Sequence, residues 1–585
     1  MKKETEARVI TFTSEAEMPM MPASVASTLY NKTGSWRYMR PFYANQTPPC
    51  NAACPAGEDI VMHLQLTAQG RYAAAWQTIV RENPFPGVCG RVCPHPCESE
   101  CNREHLGGAI AIHCQERFLA DYAATHNLSL PPVNVPQRKE RIAVIGAGPA
   151  GLSCAYHLRR MGYQVTVFDA SEKPGGMMRL IPEYRLPREV LEREIAAIVA
   201  LGVEMRTGVR LGVDVTLDGL KDYAAVFLAV GQSRSRNLDV PGEDAAGVLH
   251  GIDFLARVER GQKVDLAKKV AVIGGGNTAM DAARTARRLG AEVTILYRRS
   301  RSEMPAIDEE VNETLDEGVK IEFLCAPVAV LTANGRVRGL RLTRMELGAP
   351  DASGRRRPVP VAGSEYEVEF DTVIPALGQI ADLSFLPAGV QSERGRIVTD
   401  DRTATTRPPT FAGGDVATGF GTVTAAVGSG KRAALAIDCF LRGVERTFPD
   451  LAHNVQAAPR PQDPTVVRFE DLNTAYFEEV PRPKQEQRPA TQRAITFQEV
   501  NLGYGEDVAL AEARRCFSCG TCNECDNCLI FCPDVAVLRG PSDDECFVFN
   551  YDYCKGCGIC VSECPRRAIL FEEEVKFNDQ LVNDR

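Results

Sequence analysis

The stretch RIAVIGAGPAGLSCAYHLRRMGYQVTVFD, residues 141–169, decides the fold. Ile142–Ile145 reads as a short apolar strand. Gly146, Gly148 and Gly151 then let the backbone turn tightly, approach a pyrophosphate and pack a helix closely on the strand. The helix ends at Gly162, and a second strand, Val165–Phe168, leads to Asp169. That acid lies 23 residues past Gly146, where a carboxylate meets a ribose hydroxyl. Three spaced glycines alone are a weak signal. With strand, helix, stop and acid in order, they read as a dinucleotide-binding βαβ unit, against the plainer reading of a glycine turn used for packing.

A second copy, KVAVIGGGNTAMDAARTARRLGAEVTILY (269–297), superposes at a constant offset of 128 residues. Two copies mean a duplicated unit and not a solenoid. Its turn holds Gly274, Gly276 and Ala279, with Asn277 and Thr278 opening the helix. Tyr297 replaces the acid, and Arg298, Arg299 and Arg301 follow. Nothing there repels a 2′-phosphate and guanidiniums are present to hold one, which favours NADP(H) over NAD(H). The plainer reading is a solvated arginine loop. Further glycine turns carry Gly378 in TVIPALGQ (372–379) and Gly414 and Asp415 in FAGGDV (411–416).

The chain has 585 residues, 44% hydrophobic and 24% charged, with net charge −9 and pI about 5.6. That composition suits several globular domains and excludes a disordered or collagen-like chain. The acidic balance argues against a general nucleic-acid binder. No apolar run is long enough for a membrane span, and the N-terminus lacks a signal-peptide core, so a cytoplasmic protein is expected.

Of 21 cysteines, six lie between Cys50 and Cys101 and eleven between Cys516 and Cys564. Bunched thiols in such a chain indicate metal, not disulfides. CNECDNCLIFCP and CKGCGICVSECP share one spacing, which is the two-cluster bacterial ferredoxin pattern. In it the fourth cysteine serves the other cluster. One 4Fe–4S cluster is therefore expected on Cys522, Cys525, Cys528 and Cys564, and the other on Cys554, Cys557, Cys560 and Cys532. Cys516, Cys519 and Cys546 are expected to be non-ligands.

Residues 45–445 resemble the NADPH-oxidising small subunit of glutamate synthase, the related part of dihydropyrimidine dehydrogenase, and the large subunit of NADH-dependent ferredoxin:NADP oxidoreductase. The matching stretches are GAGPAGL, PGGMMRLIPEYRLP (174–187), GGGNTAMD, YRRSRSEMPA (297–306), ALGQ and AGGD. The C-terminal part looks like the ferredoxin subunit of 2-oxoacid:ferredoxin oxidoreductases. The join RRCFSCGTCNECDNC resembles the flavoprotein that accompanies dissimilatory sulfite reductase. The resemblance implies FAD in the first fold, along Gly175, Gly176 and Arg185, with Asp415 on its ribityl or phosphate region and Thr424 near the flavin ring. It implies NAD(P)H in the second fold. No obligate catalytic acid or base is evident.

The family pattern also implies two N-terminal clusters, built from Cys-x2-Cys-x4-Cys-x3-Cys-Pro and later cysteines. Here only Cys50 and Cys54 of that run exist, so the cluster that would keep Cys50 and Cys101 is expected to be absent. The other is expected on Cys54, Cys93 and Cys97, with Cys89, Cys114 or Glu116 as the fourth ligand.

The expected fold class is α/β with nested Rossmann-like domains, a helical iron–sulfur domain and a small α+β ferredoxin domain. The expected order is an arm (1–45), the helical domain (46–130), the FAD domain (138–262 and 371–448) around the NAD(P)H domain (263–370), a linker (449–508) that lets the last module move, and the ferredoxin domain (509–575). The implied protein is an NAD(P)H:acceptor oxidoreductase subunit. Its expected partner is a 2-oxoacid oxidoreductase, a sulfite-reductase-type enzyme or free ferredoxin. Residues 511–585 carry 8 Lys/Arg against 14 Asp/Glu, a surface that would steer onto a basic partner. A flavin-based bifurcator and a non-catalytic subunit with a vestigial nicotinamide site are the alternatives.

Overall fold

The computed structural model describes residues 13–18, 32–351, 354–419, 421–444, 465–542 and 545–574. Its centre is a five-stranded parallel sheet in the order Thr410–Ala412, Ala225–Leu228, Arg141–Ile145, Gln164–Asp169, Glu204–Thr207. Strands Arg141–Ile145 and Ala225–Leu228 are buried almost throughout, as a parallel sheet covered on both faces requires. Helix Pro149–Arg160 starts with proline at its first turn, where a missing N–H costs nothing, and is followed by Gly162 at φ +92°. Helix Val423–Arg442 packs against it. Gly430 permits this: a Cβ there would stand 2.1 Å from the Ala150 carbonyl oxygen.

The second sheet repeats the design, in the order Thr372–Pro375, Lys269–Ile273, Glu292–Tyr297, Lys320–Phe323. An antiparallel sheet of Cys325–Ala333, Arg336–Pro350, Arg356–Pro360 and Tyr366–Val368 follows it. The expected return of the first domain at 371 needs correcting. Thr372–Pro375 pairs with Lys269–Ile273, so the second domain extends through residue 375.

Six helices between Pro49 and Thr125 form the N-terminal domain. Its Phe85, Val88, Cys89, Val92 and Cys93 share one apolar core with the first dinucleotide domain. Two more expectations need correcting. The arm is no loose end from residue 39 onward: Met39–Tyr43 pairs antiparallel with Ile569–Glu573 of the ferredoxin domain. Nor is 465–508 a free linker. Arg493 pairs with Asp316, Arg288 donates to the Thr496 carbonyl, Val500 N donates to the Tyr184 carbonyl and Arg482 pairs with Glu98. This strap joins both dinucleotide domains to the helical domain. Residues 445–464 of the expected linker, and most of 1–31, lie outside the described residues.

Candidate dinucleotide and iron–sulfur sites

The first turn is built for close backbone approach. Gly146 has φ +108°, and a Cβ at Gly151 would stand 1.8 Å from the Gly146 carbonyl oxygen. The 174–176 loop folds over this turn: Gly175 N donates to Ala147 O at 2.8 Å, and a Cβ at Gly176 would come 2.8 Å from the Gly148 Cα. The Asp169 carboxylate accepts from Ala147 N at 2.6 Å and Ser171 N at 2.7 Å, tying the strand end to the turn. Asp415 follows Gly414, whose N–H donates to Ser429 Oγ at 2.9 Å. Burial pushes the Asp415 carboxyl up to about 6. A groove of bare backbone at a helix N-terminus, edged by an acid, fits a flavin dinucleotide.

One residue expected along this groove, Arg185, is engaged elsewhere. Arg185 is buried against Asp281 (Nη1–Oδ1 2.9 Å) and Glu310 (Nε–Oε1 2.6 Å) of the second domain. Those buried acids need a cation, so its guanidinium locks the two domains together and does not lie along FAD. Thr424, in the first turn of Val423–Arg442, is buried with its hydroxyl 3.6 Å from the Cys89 sulfur.

In the second turn, Gly274 has φ +146° and a Cβ would stand 2.3 Å from the Ala376 carbonyl oxygen. The Tyr297 ring lies against Gly275, where a Cβ would stand 2.4 Å from its Cε2, and its hydroxyl donates to Glu303 O at 2.7 Å. Asn277 Oδ1 accepts from Ile307 N at 3.0 Å, with half-buried Thr278 beside it. Gly276 is half-buried at the helix start, and Gly378 takes φ +98° with its carbonyl accepting from Arg236 N. The arginines divide. Arg299 is buried on Asp351 (2.6 Å) and the Arg356 carbonyl, so it staples the neighbouring hairpin and is not open to a phosphate. Arg298 is exposed at the strand end.

The cysteines gather as spatial groups. Cys522, Cys525, Cys528 and Cys564 line one cavity with Tyr43 and Pro565. Cys532, Cys554, Cys557 and Cys560 line another. Each cavity therefore takes three thiols from one motif and one from the other, the crossed pattern of a two-cluster ferredoxin. In the helical domain, burial raises the thiols of Cys54, Cys93 and Cys97, and each has another of the three beside it or shares Glu58 as a neighbour. Glu116 adjoins Cys54, Cys89 and Cys93. Cys114 turns away: its sulfur is 3.2 Å from His113 Nε2.

Residues 140–430 match the pyridine nucleotide-disulphide oxidoreductase family, 40–128 the dihydropyrimidine dehydrogenase domain II with its 4Fe-4S cluster, and 547–570 the 4Fe-4S binding domain. The NADP(+)-dependent formate dehydrogenase subunit beta of Moorella thermoacetica is 41% identical over 517 residues, covering 81% of this chain and 70% of that one. The NADPH-Fe(3+) oxidoreductase subunit beta of Geobacter sulfurreducens is 40% identical over 516 residues, covering 82% and 76%. The Escherichia coli glutamate synthase (NADPH) small chain is 37% identical over 417 residues, covering 66% and 87%. This chain belongs to the glutamate synthase small-subunit-like family of FAD- and NADPH-dependent oxidoreductases. Among solved structures it is similar to Mycobacterium tuberculosis FprA in complex with NADPH, at TM-score 0.46 and 20% identity over 54% of this chain and 88% of that one. It is an electron-transfer oxidoreductase subunit carrying 4Fe–4S domains. Among the described residues no helix is long and apolar enough to cross a membrane.

In this glutamate synthase-like chain, sequence reasoning missed the polar floor under the N-terminal thiols. Asn83 Nδ2 donates to Glu58 Oε1 at 2.8 Å and Glu116 Oε1 at 2.9 Å. Burial holds both carboxyls up, Glu58 to about 7. No spacing links residues 58, 83 and 116, so only the folded chain brings them together.

Proposed function

We propose that this chain is the cytoplasmic, NADP(H)-reactive subunit of a larger redox assembly, with FAD in the first cradle and NADP(H) in the second. FAD held there would supply hydride exchange with a nicotinamide and single-electron exchange with iron–sulfur clusters. The chain's own part is positional. The glycine turns and Asp415 seat the flavin dinucleotide, and Arg298 meets the 2′-phosphate. The crossed cysteine sets hold two C-terminal clusters. Cys54, Cys93 and Cys97 hold one in the helical domain. Glu116 is its proposed fourth ligand, because its carboxyl adjoins both Cys54 and Cys93; Cys89, which also neighbours Cys93, is the second choice.

One observation carries this reading. Helix Val423–Arg442, which closes the flavin cradle, places Thr424 against Cys89, and its Gly428 abuts the Pro55 carbonyl next to Cys54. Cradle and thiols are thus one packed unit. The relatives named as beta subunits support a partner polypeptide of separate chemistry. Anaerobic titration tests the reading. NADPH should bleach bound FAD and then the clusters, and NADH should do so far more slowly. No bleaching by either would overturn it. Affinity purification from the host without oxygen would then identify the partner: a 2-oxoacid oxidoreductase, a sirohaem enzyme, or none, as expected for a free ferredoxin acceptor.

A further inference from the structure

We propose that Cys516 and Cys519 join Cys50 and Cys101 to hold a further 4Fe–4S cluster, shared between the two ends of the chain. The inference deepens the reading above and rests on it. Cys50 and Cys101 stand outside the Cys54, Cys93 and Cys97 set, as do Cys89, which faces Thr424, and Cys114, which faces His113, and the segment before Cys50, YMRPFYANQ (38–46), has no cysteine. The structure brings a Cys-x2-Cys pair to that place from more than 400 residues away.

The delivery is specific. Helix Glu506–Arg514 packs on helices Ile60–Ala68 and Ile112–Thr125. Buried Glu512 accepts from Ala111 N at 2.7 Å and pairs with Arg515, while Gln115 Nε2 donates to the Ala509 carbonyl at 2.8 Å. The chain then turns into the 516–520 loop. Gln46, in the cysteine-free segment, donates its N–H to the Gly520 carbonyl at 2.9 Å. The segment that lacks the two thiols is therefore bonded to the loop that carries two.

Cys50, Cys101 and Cys516 lie in one apolar cluster with Ile60, Leu64 and Ala513. Cys101, Cys516 and Cys519 all neighbour the Cys50 thiol. All four are free thiols, and Cys50 and Cys519 are buried. Two sulfurs already receive the N–H donors that thiolates of a cluster use: Ser518 N to Cys516 at 3.3 Å and Asn102 Nδ2 to Cys519 at 3.4 Å. Arg566 lies near Cys516, and Arg103 near both Cys101 and Cys516, placing positive charge beside four ligands that lose their protons on binding.

Zinc is the competing occupant of four thiols. Its bonds of about 2.3 Å would draw the sulfurs to about 4 Å apart. Among the described residues, the one group of candidate ligand atoms mutually within 4.8 Å is His95, Glu98 and His113. No three of the four sulfurs come that close together, and neither do any three in either ferredoxin set, so these thiols are grouped as the ferredoxin thiols are and not as a zinc tetrahedron.

The placement makes the site a relay. Cys50 is four residues from Cys54 of the helical-domain set, and Cys519 is three from Cys522 of the ferredoxin set. Three residues span at most about 11 Å of backbone. A single electron can pass along these sets without bond change, one cluster being oxidised as the next is reduced.

The test is iron and acid-labile sulfide per bound FAD in the full chain, purified without oxygen. Wild type should hold about sixteen irons, and C516S/C519S about twelve, with NADPH bleaching of FAD retained. C50S/C101S should lose the same electron paramagnetic resonance signal, and the fourfold variant should lose no more than either pair. About twelve irons in wild type overturns the proposal, as does loss of two distinct signals by the two pairs. Zinc in place of the fourth set of irons also overturns it. The wild-type count and its fully reduced spin count need no variant, so a variant that fails to fold leaves the proposal falsifiable. Absence of NADPH bleaching with about sixteen irons present would remove the functional reading and leave the site standing.

Discussion

Asp415 and Arg298 are single side chains with separable effects. Burial lifts the Asp415 carboxyl from 3.8 to about 6 in the FAD-free protein. A raised carboxyl binds its proton more tightly folded than unfolded, so stability is greatest below about 4 and falls as pH rises towards 6. Asp415→Asn should remove that slope and leave the FAD-free protein about 2–3 kcal/mol more stable at pH 7 than wild type. Urea midpoints at pH 4.5 and 7 check this. The same variant should retain FAD about tenfold more weakly, because a ribityl hydroxyl loses a charged acceptor. Arg298→Ala should raise the KM for NADPH ten- to a hundredfold, the loss of about 1.5–3 kcal/mol from one charged hydrogen bond, and leave NADH nearly unchanged. Arg299→Ala should instead lower stability without selecting between the cofactors, since Asp351 and the Arg356 carbonyl already hold it. Steady-state kinetics with both nucleotides distinguishes the two.

Between elements, the domains are locked by buried charge. Arg284 and Arg288 of helix Asn277–Arg288 both grip Glu317, and all three side chains are 0% exposed. Arg284 also pairs with Glu313 at 2.8 Å, and Glu313 accepts from Gln487 of the strap. Glu317→Gln would leave two buried guanidiniums short of an anion, so a loss of about 3–5 kcal/mol is expected in the unfolding free energy from urea titration. The sequence displayed the glycine turns and the paired ferredoxin motifs because each is a local repeat with its own period. It hid this network and the strap for a physical reason. Residues 465–508 dock through arginine side chains, backbone carbonyls and a few apolar side chains of no regular period, such as Val467, Leu472 and Phe477 around Phe517, so a Pro- and Gln-rich stretch looked like a linker. Arg185 misled in the same way: it sits in a flavin-family motif, but its partners Asp281 and Glu310 come from another domain. Cys516 and Cys519 continued the ferredoxin spacing backwards, and only the packing of helix Glu506–Arg514 shows that they face Cys50 and Cys101.

At the scale of the whole molecule, the ferredoxin domain is held from both sides and does not swing on a tether. On one side is the 516–520 loop. On the other, strand Met39–Tyr43 adds to Ile569–Glu573, and its flank is pinned by Arg37. That guanidinium pairs with Glu574 and donates from Nη1 to the carbonyls of Tyr551 (2.7 Å) and Cys554 (2.9 Å). Cys554 belongs to the Cys532, Cys554, Cys557 and Cys560 set, so the arm reaches that cluster site directly. Arg37→Met keeps the apolar stem but leaves those carbonyls and Glu574 without a cation, a local cost of about 1.5–3 kcal/mol. Amide exchange in Ile569–Glu573 should then accelerate more than tenfold, while exchange in Arg141–Ile145 and FAD content stay at wild-type values. NADPH-to-dye activity should persist, because dye takes electrons near the flavin, and reduction of a protein acceptor at the ferredoxin domain should slow. Equal slowing of both activities would mean that the arm supports the whole fold, and unchanged exchange in Ile569–Glu573 would mean that the strand ladder and the Arg40–Glu572 pair hold that edge without Arg37.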